Sequence, residues 1–539
     1  MGDVPIGLYT VVGLDGSKKL AELPLPFCTV VPIDPAMLKV GDIVLCKVAG
    51  NEYLHIVKDT RAGHYQIGNN RGLIWLMAVL ALLMFAASPA AHAQYFSLGK
   101  GTYPLESYDI DYSPIADSER RTSLLDALHY IPLGWSSESY LSLGGELREQ
   151  YWNQVSESDA LRSPINNSYD LQRVAFDAYL HVNSHVSVFG EVIRADSFDK
   201  VSPSTTDETR GRVQQGFLQG EDVIGNLAVY ARVGRQEITL GSGRFVWIND
   251  SSNVRTTHDG ARLHVGFTDG AILDLIVSRP VTPTYRAFDD WNSHAGSFGA
   301  VYASEPFLAN QLHVDEYYFY RRASGIQFGN LTGTDDRDTV GGRIWGAFGS
   351  FKFDSDFAYQ WGTYDTTTLA KTVSAIGTST RVLYTFEDAP LRPGAQFQTS
   401  YFSGTDNPNS HTVGTFLAPF PRPTLLNYAG LNTLENLIEA YPAGLITPLP
   451  HLTLRFGPQF LWRAATNDAV YVSRTTPLTR TLKDDSRYIG TNLTWTAQWA
   501  ITPNISLFGE YLHEIAGNAI TAAGGHGTKA GVVMLDVNF

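Results

Sequence analysis

From about Tyr140 to the C-terminus, segments of about 10 to 14 residues alternate apolar with polar positions and stop at turn residues. In DLQRVAFDAYLHV (170–182), Val174, Phe176, Ala178, Leu180 and Val182 share one face, while Arg173, Asp177, Tyr179 and His181 share the other. A period of two is the strand period and makes a poor helix. YLSLGGELREQYW (140–152), LAVYARVGRQ (227–236), GARLHVGF (260–267), HLTLRFGPQFLW (451–462) and TNLTWTAQWAI (491–501) repeat it.

The pattern predicts strands starting near 139, 169, 185, 211, 227, 254, 271, 294, 311, 337, 350, 371, 393, 431, 450, 485, 502 and 526. Short turns such as NSH (183–185), IGN (224–226), TDG (268–270) and TPN (502–504) roughly alternate with long polar stretches at 156–168, 196–210, 241–253 and 404–424. An even number of strands with alternating short and long connections is the signature of a transmembrane β-barrel, with tight periplasmic turns and long outer loops. The fold class is therefore all-β: an antiparallel outer-membrane barrel of about 18 strands, with outer-membrane lipid around it.

The last strand supports this. In KAGVVMLDVNF, Val533, Leu535, Val537 and the terminal Phe539 fall on one face, a lipid-facing row that ends in an aromatic. A terminal phenylalanine of this kind resembles the signal by which barrel-insertion machinery recognises its clients. A soluble β-sandwich would not need the many Tyr, Trp and Phe residues that interfacial girdles use.

Upstream, the longest apolar run, Leu73 to Ala87, is shorter than the roughly 20 residues a spanning helix needs. With Arg71 before it and Ala91-His92-Ala93 after it, it reads as a secretory signal cleaved after Ala93. The expected division is a small β-rich prefix (1–72) outside the mature protein, a signal peptide helix (73–93), a periplasmic segment (94–138) and the barrel (139–539). SERRTSLLDALH (118–129) predicts a short periplasmic turn of helix.

Composition narrows the chemistry. Both cysteines, Cys28 and Cys46, precede the signal, so the exported part has no disulfide, thiolate metal site or Cys nucleophile. Downstream of Ala93 stand 33 basic and 47 acidic residues, and only six of the basic ones are lysines. An acidic chain is a poor nucleic-acid binder. Arginine presents a planar fork that grips carboxylate or phosphate, so the arginine bias suits a surface that handles anions. The alternation puts Arg148, Arg173, Arg262, Arg343 and Arg455 on polar strand faces, and a mid-strand charge is costly toward lipid and cheap in the lumen. They form a candidate ladder for carboxylates, or else each pairs with a lumen acid such as Glu146, Asp177 or Asp356. In VGRQ, Gly234 is a candidate bulge that leaves open which of Arg232 and Arg235 faces inward.

IPLGWSSESYLSLGGELREQYW (131–152), VGRQEITLGSGR (233–244), HDGARLHVGF (258–267), RDTVGGRIWG (337–346), AYQWGTY (358–364), SGTDNPNSHTVGTFLAPFPR (403–422) and LNTLENL (431–437) resemble, in this order, segments of the alginate-export family of outer-membrane proteins. The resemblance covers roughly Pro132 to Phe539. It implies an 18-stranded barrel with a polar, arginine-lined lumen, partly plugged by long loops and a turn, through which an anionic polysaccharide passes. It favours Arg235 as the inward arginine of VGRQ and Asn436 as a lumen residue, the alternative for Asn436 being a hydrogen bond across the wall.

Other strings fail as catalytic motifs. LHEIAG (512–517) has Gly517 where a zinc-binding helix needs a second His, and GGHGTKAG (524–531) has the wrong order for a phosphate loop. GSGR (241–244) lacks the glycine spacing of a nucleophile elbow, and no serine is placed for His258 or His513. In the prefix, DPAMLKVGDIVLCKV resembles the start of the Ser-Lys peptidase fold of self-cleaving repressors, with Lys58 in a lysine place, but Ala36 stands at the serine position. The expectation is a bacterial outer-membrane channel exporting an anionic polysaccharide such as alginate, without metal or cofactor, served by periplasmic secretion partners. The alternatives are a general porin for small anions and, third, a barrel enzyme.

Overall fold

The computed structural model describes residues 8–11, 30–32, 43–48, 51–61, 64–69, 104, 106–121, 123, 125–162, 166–292, 296–472 and 475–539. The apolar run, the Ala-His-Ala exit and Ala36 lie outside them. The chain divides into two units, Met1–Phe85 and Ala86–Phe539. In the first, Val30–Pro32, Leu8–Val11, Ile43–Val48, Asn51–Arg61 and His64–Asn69 form, in that order, an antiparallel sheet.

The second unit is a closed antiparallel barrel of 18 long strands. They are β1 (Tyr140–Val155), β2 (Asn167–Asn183), β3 (Val186–Phe198), β4 (Thr209–Ile224), β5 (Leu227–Gln236), β6 (His258–Gly266), β7 (Ile272–Thr282), β8 (Gly296–Phe307) and β9 (Leu312–Phe328). The series continues with β10 (Leu331–Phe348), β11 (Phe351–Asp365), β12 (Ala370–Thr385), β13 (Gly394–Phe402), β14 (Leu437–Leu449), β15 (Leu452–Arg463), β16 (Tyr488–Ala500), β17 (Ile505–Ala516) and β18 (Lys529–Asn538). The largest departures from the predicted starts are at β10 and β14, where Gly and Asn residues blur the alternation. Two outer connections, 329–330 and 366–369, are short where the pattern predicts long ones. No helix among the described residues is long and apolar enough to cross a membrane.

KFDSDFAYQW in β11 shows why these residues make a barrel wall. Asp354, Asp356, Ala358 and Gln360 point inward and are buried, whereas Phe357, Tyr359 and Trp361 face outward and are exposed. A two-residue period lets one strand meet lipid on one side and a polar lumen on the other. β18 closes the barrel on β1, from Lys529 opposite Val155 to Asn538 opposite Glu146. The terminal Phe539 extends the seam, its amide donating to Gly145 O and its carbonyl accepting from Gly145 N. Its ring lies where a Cβ on Gly145 would meet it at 2.6 Å, so that glycine makes room for the seam.

Before β1, helical turns form at Ser118–Arg120 and Asp126–His129. Further upstream the chain enters the lumen from the short-turn end. Glu106 accepts from Gln215 Nε2 at 3.0 Å, and the Tyr108 ring meets Phe189 and Phe217 edge-on at 5.1 and 5.2 Å.

Candidate functional site

The lumen is crossed by two outer connections folded inward, 237–257 and 403–436. They are tied together where Trp247 N donates to Phe420 O and Phe420 N to Phe245 O, both at 2.9 Å. Ile248 and Phe416 are fully buried between them and the wall.

On the β1 to β4 side, guanidinium groups are locked. Arg148 donates to Asp536 Oδ1 (2.6 Å), Asp250 Oδ2 (2.9 Å) and Asp250 O (2.6 Å). Arg173 donates to Glu146 Oε1 and Asp250 Oδ1, both at 2.9 Å. Arg255 gathers Glu191 (2.6 Å), Glu237 (2.7 Å) and Glu146 (3.3 Å). Charge-assisted bonds of this kind are short and strong, and here they moor the infolded 237–257 loop to the wall through Asp250 and Arg255.

A second knot lies across β9 to β11. Arg343 bridges Asp315 (3.0 Å) and Asp354 (2.6 Å), and Arg244, from the infolded loop, bonds Asp354 and Asp356. Arg337 forks onto Asp335 and donates to Thr415 O in the second infolded loop.

Arg422, Arg455 and Arg321 form no ion pair with a carboxylate among the described residues. Arg422 stacks on Trp247 (4.9 Å) and bonds only Thr424 Oγ1 and Ser242 O. Burial and the neighbouring Arg244 draw its pKa down to about 10 against the pull of Asp250, which leaves it charged at neutral pH. Arg455 lies over Tyr441 (5.7 Å) with a buried Nε that has no acceptor. Arg321 lies over Phe420 (5.6 Å) with a buried Nη1 that has none. Arg381, which donates to Gln398 Oε1 at 2.7 Å, has Arg244, Arg422 and Arg455 as well as Asp354 in its electrostatic surroundings. Arg422 and Arg455 thus stand near acids, Asp250 and Asp354 for the first and Glu510 for the second, without forming a close ion pair with them among the described residues.

The expected residues divide accordingly. Arg148, Arg173, Arg262, Arg343 and Arg455 all lie on lumen faces. Four of them are engaged by acids, Arg262 through Asp274 at 2.7 Å. Of the expected lumen acids, Glu146 accepts from Arg148, Arg173 and Arg255, and Asp356 from Arg244 and Tyr317. Asp177 lines a small cavity with Ser107 and Glu191.

Arg235 is a correction. It pairs with Asp259, its cross-strand neighbour, on the same face as Val233, which is 61 % exposed, so it points away from the lumen. The inward residue is Arg232, buried over Tyr108 (4.3 Å) and Phe217 (4.1 Å). Gly234 is no bulge: pairing with β4 runs unbroken through it, and its φ of +139° serves a close approach to Gly216 O that a side chain would prevent. Asn436, at φ +51°, sits in the connection before β14, and its amide is spent on Ala465 O, Ala469 O and Ala465 N. It pins one outer connection to the next and presents no free group to the lumen.

Sequence reasoning missed Arg244, Arg255 and Arg422 because they sit on irregular connections, where no periodicity tells inside from outside. Arg337 and Arg381 were legible, each standing at an inward position of an alternating strand, whereas Arg212 lies between two register shifts of β4 against β3.

The family model described as "Alginate export" matches residues 139–533. The chain belongs to the alginate export family. The match spans β1 and reaches into β18, the whole wall that carries the arginines. No curated protein sequence matches the chain. Among solved structures, the barrel is similar to Pseudomonas aeruginosa OccK2 (OpdF) in complex with glucuronate, at 9% identity and TM-score 0.50, covering 74% of this chain and 98% of that one. A BenF-like porin from Pseudomonas fluorescens Pf-5 matches at 10% identity and TM-score 0.49, with coverage of 74% and 98%. As a member of the alginate export family with an 18-stranded barrel, this protein is a bacterial outer-membrane channel for polysaccharide export, and family and fold are both of channel type.

Proposed function

We propose that an anionic, uronate-bearing polymer such as alginate crosses this barrel passively, handed along arginines that form no close ion pair with the protein's own acids. The observation that carries the reading is the contrast within one lumen. Arg148, Arg173 and Arg343 are paired with carboxylates, while Arg422 and Arg455 have no carboxylate ion-pair partner among the described residues. A site for a moving anion must bind well enough to admit it and weakly enough to release it, which suits scattered single guanidinium groups more than a tight cage. The channel needs no chemical step, and His258, whose Nδ1 lies 3.1 Å from Ser278 Oγ, is buried together with that serine. The uronate found in OccK2 is the same class of anion, seen in a barrel of similar fold. We further infer that insertion machinery reads Phe539, whose pairing with Gly145 on the seam supports this, and that periplasmic secretion partners meet the chain near the helical turns at 118–129.

Conductance in planar bilayers tests the reading. Oligouronates added on the short-turn side should block the current of small anions, and Arg422→Ser with Arg455→Ser should weaken that block. A channel that passes monouronates while polymers neither block nor compete is instead a porin for small anions.

A further inference from the structure

At the outer end of the lumen lies a cavity of about 400 Å³, walled by the infolded connections and the outer ends of β1, β2 and β9. That volume falls within the roughly 300–1,000 Å³ of small-ligand sites. Its aromatic wall is unusual for a purely polar exit. Trp152 runs nearly parallel to Tyr169 (6.0 Å, 12°) and to Tyr428 (5.7 Å, 25°), with Trp247 and Phe420 completing the lining.

Four charged groups line this space: Glu157, Lys200, Asp207 and Arg321. Lys200 is neutralised by Asp207 at 2.8 Å and lies over Tyr169. Arg321 has neither a hydrogen-bond acceptor nor a carboxylate ion-pair partner among the described residues, although its Nη1 is buried. Of the acids that influence it, Asp335 is forked by Arg337, while Glu435 accepts from Thr475 through Oε1 and keeps a buried Oε2 without a hydrogen-bond partner. A buried donor without an acceptor is costly unless a ligand completes it.

We propose that this vestibule is a docking site for a single uronic acid residue, with Arg321 taking the carboxylate and the Trp247 and Phe420 rings taking the apolar face of the pyranose. An aromatic face offers a large rigid apolar surface at low entropic cost, and a guanidinium forks onto a carboxylate, so the two together distinguish a uronate from a neutral sugar. The inference rests on the export reading and adds a holding point, next to the central arginines through Arg422 on Trp247, that keeps the emerging chain from sliding back.

The test uses the full barrel in planar bilayers, with tetragalacturonate or its methyl ester added only on the outer-loop side, and tryptophan fluorescence of the same proteins as a second readout. The acid should bind better than its ester, Arg321→Gln should weaken the acid about tenfold and leave the ester unchanged, and Arg321→Lys should recover part of the loss. Trp247→Leu should weaken both ligands. Equal binding of the acid by wild type and Arg321→Gln, or no preference for acid over ester, overturns the docking site. The export reading is judged separately by block from the short-turn side: if that block is present while outer-side binding ignores Arg321, only the docking site falls. If that block is absent while outer-side binding depends on Arg321, only the export reading falls.

Discussion

Arg173 and Arg321 stand on the lumen faces of two strands of one barrel, yet they do different work. Arg173 reaches Glu146, Asp250 and two carbonyls of the 237–257 connection, so its charge is spent on holding a loop. Arg321 reaches an aromatic ring and an open cavity. The difference teaches that counting lumen arginines overstates the charge a passing anion feels. What matters is the subset without carboxylate ion pairs, and that subset lies toward the centre and exit.

The sharpest way to break the comparison is to unlock the first region. Asp250→Ala strands Arg148 and Arg173 with buried, partly unpaired charge, which costs about 3–5 kcal/mol. Thermal unfolding of the barrel should show a large loss, and an unchanged melting point would mean that the network does not hold the loop. Next, Arg455→Ser should lower the anion over cation permeability ratio about two- to fivefold. One unpaired charge acting over roughly 15 Å at an effective dielectric of about 20 is worth about 1 kcal/mol. The same change should leave the melting point almost unmoved, the opposite of Asp250→Ala. Reversal potentials in a salt gradient measure the first quantity.

Ionic strength should separate the regions without mutation. Going from 0.1 to 1 M salt shortens screening from about 10 to about 3 Å. Anion preference should then fall steeply while thermal stability shifts little, because short buried pairs are screened less than charges facing water.

The smallest effect belongs to the chain segment seated in the lumen. Burial above all, then the nearby Glu237, holds the Glu106 carboxyl well above the usual carboxylate range against the pull of Arg255. An acid whose pKa is raised on seating binds its proton more tightly there than when released, so the seat is firmest at low pH and loosens as pH rises from the ordinary carboxylate range through the raised value. Conductance should therefore climb modestly with pH over that interval, and Glu106→Gln should flatten the climb. Tyr108→Ala, which removes the ring beneath Arg232, should raise conductance at every pH, and no change would show that the segment does not obstruct flow.

Much of this was written along the chain. The two-residue period in β2, β11 and β18 settles that these segments are strands, that each has a lipid side and a polar side, and that 18 of them close into an even barrel, because a strand's faces follow from its own residues. The same logic places Arg148, Arg173, Arg262, Arg343 and Arg455 inside. It could not settle Arg232 against Arg235, since a glycine between them left the register to be decided by pairing with β4. Nor could it find Arg244, Arg255 or Arg422, whose positions depend on where two long connections fold. Which arginines are spent and which are free is a matter of tertiary contacts alone, because neutralisation depends on acids that arrive from distant parts of the chain, as Asp250 and Asp536 do at Arg148.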